Sequence, residues 1–154
     1  MKQTRNNQKA FFKSVKEMTE TIIQIGAVGE HADTDLSNNE LLAVHEFTDY
    51  AEKGARAPIT KTIENSEFRN KLKGKIQQLI EVNFDSKAGV LKAENILNGV
   101  GTVLKLGVQK TILDGVLPDI EEETKIQSAP RRGDVPLIAT GTMFDSIEFG
   151  LKGA

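Results

Sequence analysis

The sequence predicts an α+β fold: a single domain over residues 1–154, with long helices packed on a small, mainly antiparallel sheet that the C-terminal strand closes. Three observations support this class. Two long segments carry apolar residues at helical spacing, and a β-branched segment follows the first helix. A compact apolar segment, PLIATGTMFDSIEFG, occupies residues 136–150. With 154 residues, of which 38% are hydrophobic, the chain is long enough to bury a core as one domain.

The first third of the chain predicts a helix, a strand and a second, shorter helix. Apolar residues at helical spacing predict a helix over about 8–21, so that residues 1–20 form an N-terminal helical extension. The segment TIIQIGAVG, residues 21–29, is rich in β-branched residues and ends in glycine, as is typical of a strand. After a polar turn, ELLAVHEF at 40–47 has the spacing of a short helix, and residues 48–58 predict an exposed loop ending at Pro58.

Two long helices are expected in the middle of the chain. The first begins at Thr60, a plausible N-cap, and continues to about residue 84 with Ile63 in its buried stripe. The second has a core face that includes Leu104 and runs from Ala93 to Ile112. Glycine inside a helix costs about 1 kcal/mol relative to alanine. We therefore expect another element to approach this helix closely at each of its internal glycines, Gly99, Gly101 and Gly107.

The last part of the chain predicts a connector and the closing elements. Residues 118–135 are strongly charged and predict an exposed loop. A short helix is expected around 140–146, where Thr140 would cap the first turn and Gly141 would add no side chain. A final strand over 147–152 then completes the sheet, with Ile147 in the core.

Composition excludes several functional classes. The 20 Lys and Arg residues nearly balance the 22 Asp and Glu residues, which predicts neither specific nucleic-acid binding nor attraction to an anionic membrane. No segment approaches the roughly 18 consecutive apolar residues of a membrane span. The absence of cysteine removes disulfides, thiolate metal sites and cysteine nucleophiles, and it fits synthesis in a reducing cytoplasm.

Motifs with catalytic chemistry are not found in the sequence. His45 in HEF lacks the second histidine of the H-E-x-x-H motif, and we expect it at the edge of the core. NGVGTVLKLG, at 98–107, lacks the Gly-Lys-Ser/Thr ending of a phosphate loop and lies within a helical stripe. The acidic run 121–123 is typical of a solvated surface. We therefore expect no enzyme activity, no cofactor and no metal.

PLIATGTMFDSIEF resembles the C-terminal segment of a family of small bacteriophage neck and tail-completion proteins, which includes the Mu-type virion morphogenesis proteins. That segment reads Pro-Leu-hydrophobic-x-Thr-Gly-x-Leu/Met-x-x-Ser-Ile, and its matches here are Pro136, Leu137, Ile138, Thr140, Gly141, Met143, Ser146 and Ile147. A second patch agrees in order and spacing: IIQIGAVG, then LLAVHEF, then KGARAPITKTIEN, with Glu46, Phe47 and Pro58 as the matched positions. The chain departs from the family's pattern at Thr48, Ile59 and Ala139.

The resemblance implies a structural virion protein of a tailed bacteriophage. Such a protein is a subunit of the neck or tail-completion ring at the head–tail junction, synthesised in the host cytoplasm. Its partners would be further copies of itself and other neck, head-completion or tail proteins. The two charged loops are the expected contact arms between subunits, with Lys53, Arg56, Glu122, Arg131 and Arg132 as candidate contact residues. Two alternatives stay open: a chaperone-like morphogenesis factor in tail joining that is absent from the virion, and a small cytoplasmic enzyme of unknown class.

Overall fold

The computed structural model describes residues 2–30, 35–47, 57–114 and 142–153. It confirms the predicted α+β class, with helices packed against small antiparallel sheets. In chain order, the elements are α1 (Lys2–Glu20), β1 (Ile22–Ala27), α2 (Asn38–Phe47), α3 (Pro58–Glu64), α4 (Ser66–Asn83), β2 (Phe84–Asp85), β3 (Val90–Leu91), α5 (Ala93–Leu113), α6 (Thr142–Asp145) and β4 (Ile147–Lys152).

The main sheet joins the two ends of the fold. β1 and β4 pair antiparallel in a register that sets Ile22 opposite Lys152 and Ala27 opposite Ile147. Burial alternates along both strands, because successive side chains point to opposite faces. One face, which includes Ile25 and Ile147, contributes to the core. The predicted strands at 21–29 and 147–152 and their pairing are therefore confirmed.

The core lies between α5 and this sheet. Val108, Ile112 and Ile147 are almost completely inaccessible to solvent and form one cluster. A second cluster joins Ala27 of β1 to Leu42 of α2. Ile59 of α3 packs against both clusters and so connects the two halves of the core.

The glycines of α5 are the points at which other elements approach it, as predicted. A Cβ atom built on Gly101 would lie less than 3.0 Å from the ring of Phe149 on β4. Those built on Gly99 and Gly107 would be equally close to Leu79 and Phe68 of α4. α5 therefore packs against β4 on one side and against α4 on another.

The helix predicted from Thr60 to about residue 84 is wrong in three respects. It is two helices, α3 and α4, because the Asn65 side chain accepts a hydrogen bond from Phe68 N at 2.9 Å and starts a new helix. Thr60 is not an N-cap, since α3 already begins at Pro58. Ile63 is 51% exposed rather than buried.

Of the two residues expected in the core, Ile147 is fully enclosed, whereas Leu104 on α5 is only half-buried.

A short hairpin, β2–β3, occupies the break that follows α4. Its turn contains Gly89 at φ +65°, a conformation that favours glycine. α1 packs along this hairpin and along α5, and Ser14 Oγ accepts a hydrogen bond from Leu91 N at 3.2 Å. Among the described helices, none is both long and apolar enough to span a membrane.

Candidate interaction surface

Glu46 and Pro58 form a buried elbow between α2 and α3. The Glu46 carboxylate accepts hydrogen bonds from Ile59 N and Thr60 N, both at 2.9 Å, and from the Thr60 hydroxyl at 2.5 Å. Pro58 has no N–H and occupies the first turn of α3, where proline is favoured. Glu46 thus satisfies free N–H groups of the first turn of α3 and places negative charge at the positive end of the helix dipole.

Glu46 caps α3 because Ala57, the residue just before that helix, cannot do so. Ala57 has no side chain that could accept a hydrogen bond, and its backbone is left-handed at φ +42°. This conformation is held by a hydrogen bond from Ala57 N to His45 O at 2.9 Å. His45 itself is half-buried on α2, as predicted. The backbone and Glu46 together fix the angle at which the chain enters α3.

Phe47, the neighbour of Glu46 in the Glu-Phe pair, has the opposite environment. Its side chain is 84% exposed, whereas Glu46 is 9% exposed. An exposed aromatic ring at a helix end contributes little to the core and is accessible to a partner. The pair therefore combines a structural carboxylate with an outward-facing apolar group.

The elbow and the closing strand meet in the core. Ile59, whose N–H is bonded to Glu46, also packs against the cluster that contains Ile147. α5 also fixes α6, the short helix that precedes β4, because Gln109 Nε2 donates a hydrogen bond to Phe144 O at 3.2 Å. Lys105 Nζ lies 2.5 Å from Glu148 Oε1. Two patches about 90 residues apart in sequence, at Glu46–Ile59 and at Ser146–Ile147, are thus parts of one packed unit.

The turn before α2 is a capping box, which was not predicted. Ser37 N and Ser37 Oγ donate to Glu40 Oε2 at 2.9 and 2.7 Å, and Glu40 N donates back to Ser37 Oγ at 3.3 Å. The signal was present in the sequence as Ser-Asn-Asn-Glu at 37–40. The hydrogen bond from the Ser37 side chain lowers the pKa of Glu40 below its usual value.

An apolar groove lies between α1, α4 and the hairpin. It has a volume of about 500 Å³ and is lined mainly by Phe11, Val15, Met18, Ile80, Phe84 and Leu91. The Phe11 ring packs edge-to-face against those of Phe12 and Phe84 at centroid distances of 6.0 and 6.2 Å. Phe12 is 67% exposed at its margin. Such a concentration of exposed apolar groups marks a surface suited to a protein partner.

A shallow hollow of about 410 Å³ covers the outer face of the main sheet. Gln24, Gly26, Glu148 and Gly150 contribute to it, together with Asn39 from α2. Nothing lies within 4 Å of the position where a Cβ of Gly150 would be. The outer sheet face is therefore open at β4.

Charged side chains on α4 add a basic area to the surface. Arg69, Lys73 and Lys75 are exposed along this helix. Lys71 bonds to Glu67 at 2.7 Å, a hydrogen bond that lowers the pKa of Glu67 and raises the pKa of Lys71. Because these groups are exposed, the pair contributes little to stability.

The remaining candidate residues lie outside the described part of the chain. These are the motif residues Pro136, Leu137, Thr140 and Gly141, and the candidate contacts Lys53, Arg56, Glu122, Arg131 and Arg132. Within the described ranges, no group of three His, Cys, Asp or Glu residues could hold a metal ion. No protein-family model, curated protein or solved structure matches the chain.

Proposed function

We propose that this chain is a structural virion protein of a tailed bacteriophage, a subunit of the neck or tail-completion ring at the head–tail junction. One observation carries the proposal. The described parts of the two sequence patches that resemble neck and tail-completion proteins lie in one packed core, where Ile59, bonded to Glu46, packs against the cluster that contains Ile147. Each matched residue has a structural role in this core: Glu46 caps α3, Pro58 begins it, and Ile147 is fully enclosed.

Exposed apolar surface supports an assembled state for the protein. Phe12 and Phe47 are largely exposed, and the groove beside α1 is lined mainly by apolar side chains. Isolated proteins seldom leave such surface uncovered, whereas a ring subunit covers it with its neighbours. A ring requires two different contact surfaces on every subunit, and the groove and the end of α2 are separate candidates for these surfaces.

Mass spectrometry of purified virions tests this function. A resident ring subunit should be present at a few to about twelve copies per particle. A phage lacking the gene should accumulate heads and tails that do not join, and the protein supplied in trans should restore them. If the protein is needed for joining but is absent from purified virions, it is a morphogenesis factor instead. Normal particles in the absence of the gene would refute both roles.

A further inference from the structure

The outer edge of β4 offers unpaired backbone groups. Val28 N donates to Ser146 O at 2.9 Å, which fixes the phase of the ladder between β1 and β4. Bonded and non-bonded pairs alternate in an antiparallel ladder, so every second residue of β4 directs its N–H and C=O away from β1. These residues are Ile147, which is fully enclosed, and Phe149 and Leu151, which are partly accessible and so form the usable part of the edge. No other described residue bonds to their backbone groups.

The corresponding edge of β1 is partly closed. Ala27 N donates to Asn39 Oδ1 at 3.3 Å, so α2 covers the end of this edge. The Asn39 side chain also lies against Gly26, where a Cβ would be 2.8 Å from Oδ1. On β4, Gly150 and Lys152 are exposed, and no described residue bonds to the outward backbone groups of Phe149 or Leu151. β4 is therefore the edge at which an added strand meets the least obstruction.

The sequence of β4 is complementary to itself when it is reversed. Around Gly150 it reads Glu148, Phe149, Gly150, Leu151, Lys152, with an acidic and a basic residue at opposite ends and an apolar residue on each side of the glycine. We propose that β4 pairs antiparallel with β4 of a second copy of this chain, with Gly150 at the two-fold axis. This inference does not rest on the proposed function.

The pairing satisfies the open edge and matches charge on both sides of the axis. Phe149 stands opposite Leu151 of the second copy, and both belong to the outward-bonding set, so they exchange backbone hydrogen bonds. Glu148 stands opposite Lys152 of the second copy in a non-bonded pair, where side chains approach most closely. The two glycines meet at the axis, where no side chain obstructs the approach.

Both charged residues are available for this contact. Glu148 bonds to Lys105 through Oε1, which leaves Oε2 to accept from the second copy. Lys152 is exposed and forms no ion pair with another described residue. The alternative is that β4 pairs with β1 of a second copy, in the same register as within one chain. Glu148 would then stand opposite Gly26, and Lys152 opposite Ile22, so that neither charge would have a partner.

A contact of this size gives a weak, reversible dimer. Five residues from each strand cover far less than the roughly 1,200–2,000 Å² of a stable interface. We expect a dissociation constant of about 0.1–1 mM, which a neighbour in a larger assembly could displace. Pairing would also cover an exposed strand edge that otherwise promotes aggregation.

Sedimentation equilibrium of the full chain at concentrations up to about 1 mM tests the pairing. Lys152→Glu places like charges opposite each other at both ends of the paired strands and should weaken the dimer about tenfold. Lys75→Glu, on exposed α4, makes the same change in net charge far from β4 and should leave the dimer unchanged. Concentration-dependent amide shifts should be larger at Phe149 and Leu151 than at Glu148 and Gly150.

A mixing experiment separates pairing from general charge effects. K152E carries two acidic positions on β4, and E148K carries two basic ones, so each variant alone should dimerise about tenfold more weakly than the parent. Mixed at equal concentration, they should form a heterodimer with the parent's affinity or better. Circular dichroism checks that E148K, which loses the contact with Lys105, is folded.

Three results would overturn the proposal. One is a parent chain that stays monomeric up to about 1 mM. Another is a K152E variant that associates like the parent. The third is a dimer that Phe12→Ser abolishes and K152E does not, which would place the contact at the groove beside α1.

Discussion

At the scale of single residues, Glu46 is the side chain whose role depends most on the fold. Its carboxylate accepts three hydrogen bonds from α3 while it is almost fully buried. Glu46→Ala leaves those donors without partners, so we expect a loss of about 2–3 kcal/mol in the free energy of unfolding, measured in urea. Phe47→Ala, at the exposed neighbouring position, is the control and should change stability by less than about 0.5 kcal/mol. Equal losses would show that the elbow is not formed.

Glu40 gives a second prediction at this scale, one that depends on pH. Hydrogen bonds from Ser37 hold the pKa of the Glu40 carboxyl below its usual value of 4.5. The capping box therefore contributes stability above the unfolded-state pKa, and this contribution is lost as the pH falls through the lower folded-state pKa. An NMR titration should find the Glu40 midpoint below 4.5, and Ser37→Ala should move it upward. An unchanged midpoint in the variant would contradict the capping box.

At the scale of elements, Gly101 on α5 and Gly74 on α4 are helical glycines in opposite surroundings. A Cβ on Gly101 would collide with the Phe149 ring, whereas nothing lies within 4 Å of the Cβ position of Gly74. We expect Gly101→Ala to destabilise the protein by about 1–3 kcal/mol. Gly74→Ala should stabilise it by up to about 1 kcal/mol, because alanine favours the helix. Thermal unfolding of both variants would reveal opposite shifts in Tm, and shifts of the same sign would contradict the packing of α5 on β4.

The close approaches to α5 and the strands β1 and β4 could be predicted because their signals are local, and the pairing followed because these were the only two strands that the sequence predicted. A few neighbouring residues are enough to recognise a glycine within a helix or a β-branched strand that ends in glycine. The break at Asn65 was missed because the apolar spacing continues across it, although asparagine is a strong N-cap. The β2–β3 hairpin was missed because strands of two residues are too short to show alternation.

The elbow of the candidate site could not be predicted from pattern alone. Glu46 and its partners Ile59 and Thr60 are 13 and 14 residues apart, across a loop whose length fixes no geometry. A glutamate at a helix end is ordinarily read as a solvated charge. Only the fold shows that it caps another helix.

At the scale of the whole molecule, the proposed ring and the proposed β4 pairing impose different requirements. A ring subunit needs two unlike surfaces that close around an axis, whereas β4 pairing uses one surface twice. They are compatible only if β4 pairing is weak. A tight dimer would bring subunits in pairs related by a two-fold axis, and neighbours in a single rotational ring are not related in that way.

The last prediction follows from that requirement. In dilute solution the protein should be mainly monomeric, and light scattering at about 10 μM should give a mass close to the 16.9 kDa of the chain. In the particle we expect a closed ring of about six copies, by analogy with the symmetry of the tail, or of about twelve. The copy number in a reconstruction of the neck is compared with the mass from light scattering. A ring in the particle together with a monomer in solution would show that the ring assembles on the particle. A tight dimer with a large two-fold interface in both samples would refute the ring, since a single self-complementary surface cannot close a ring by itself.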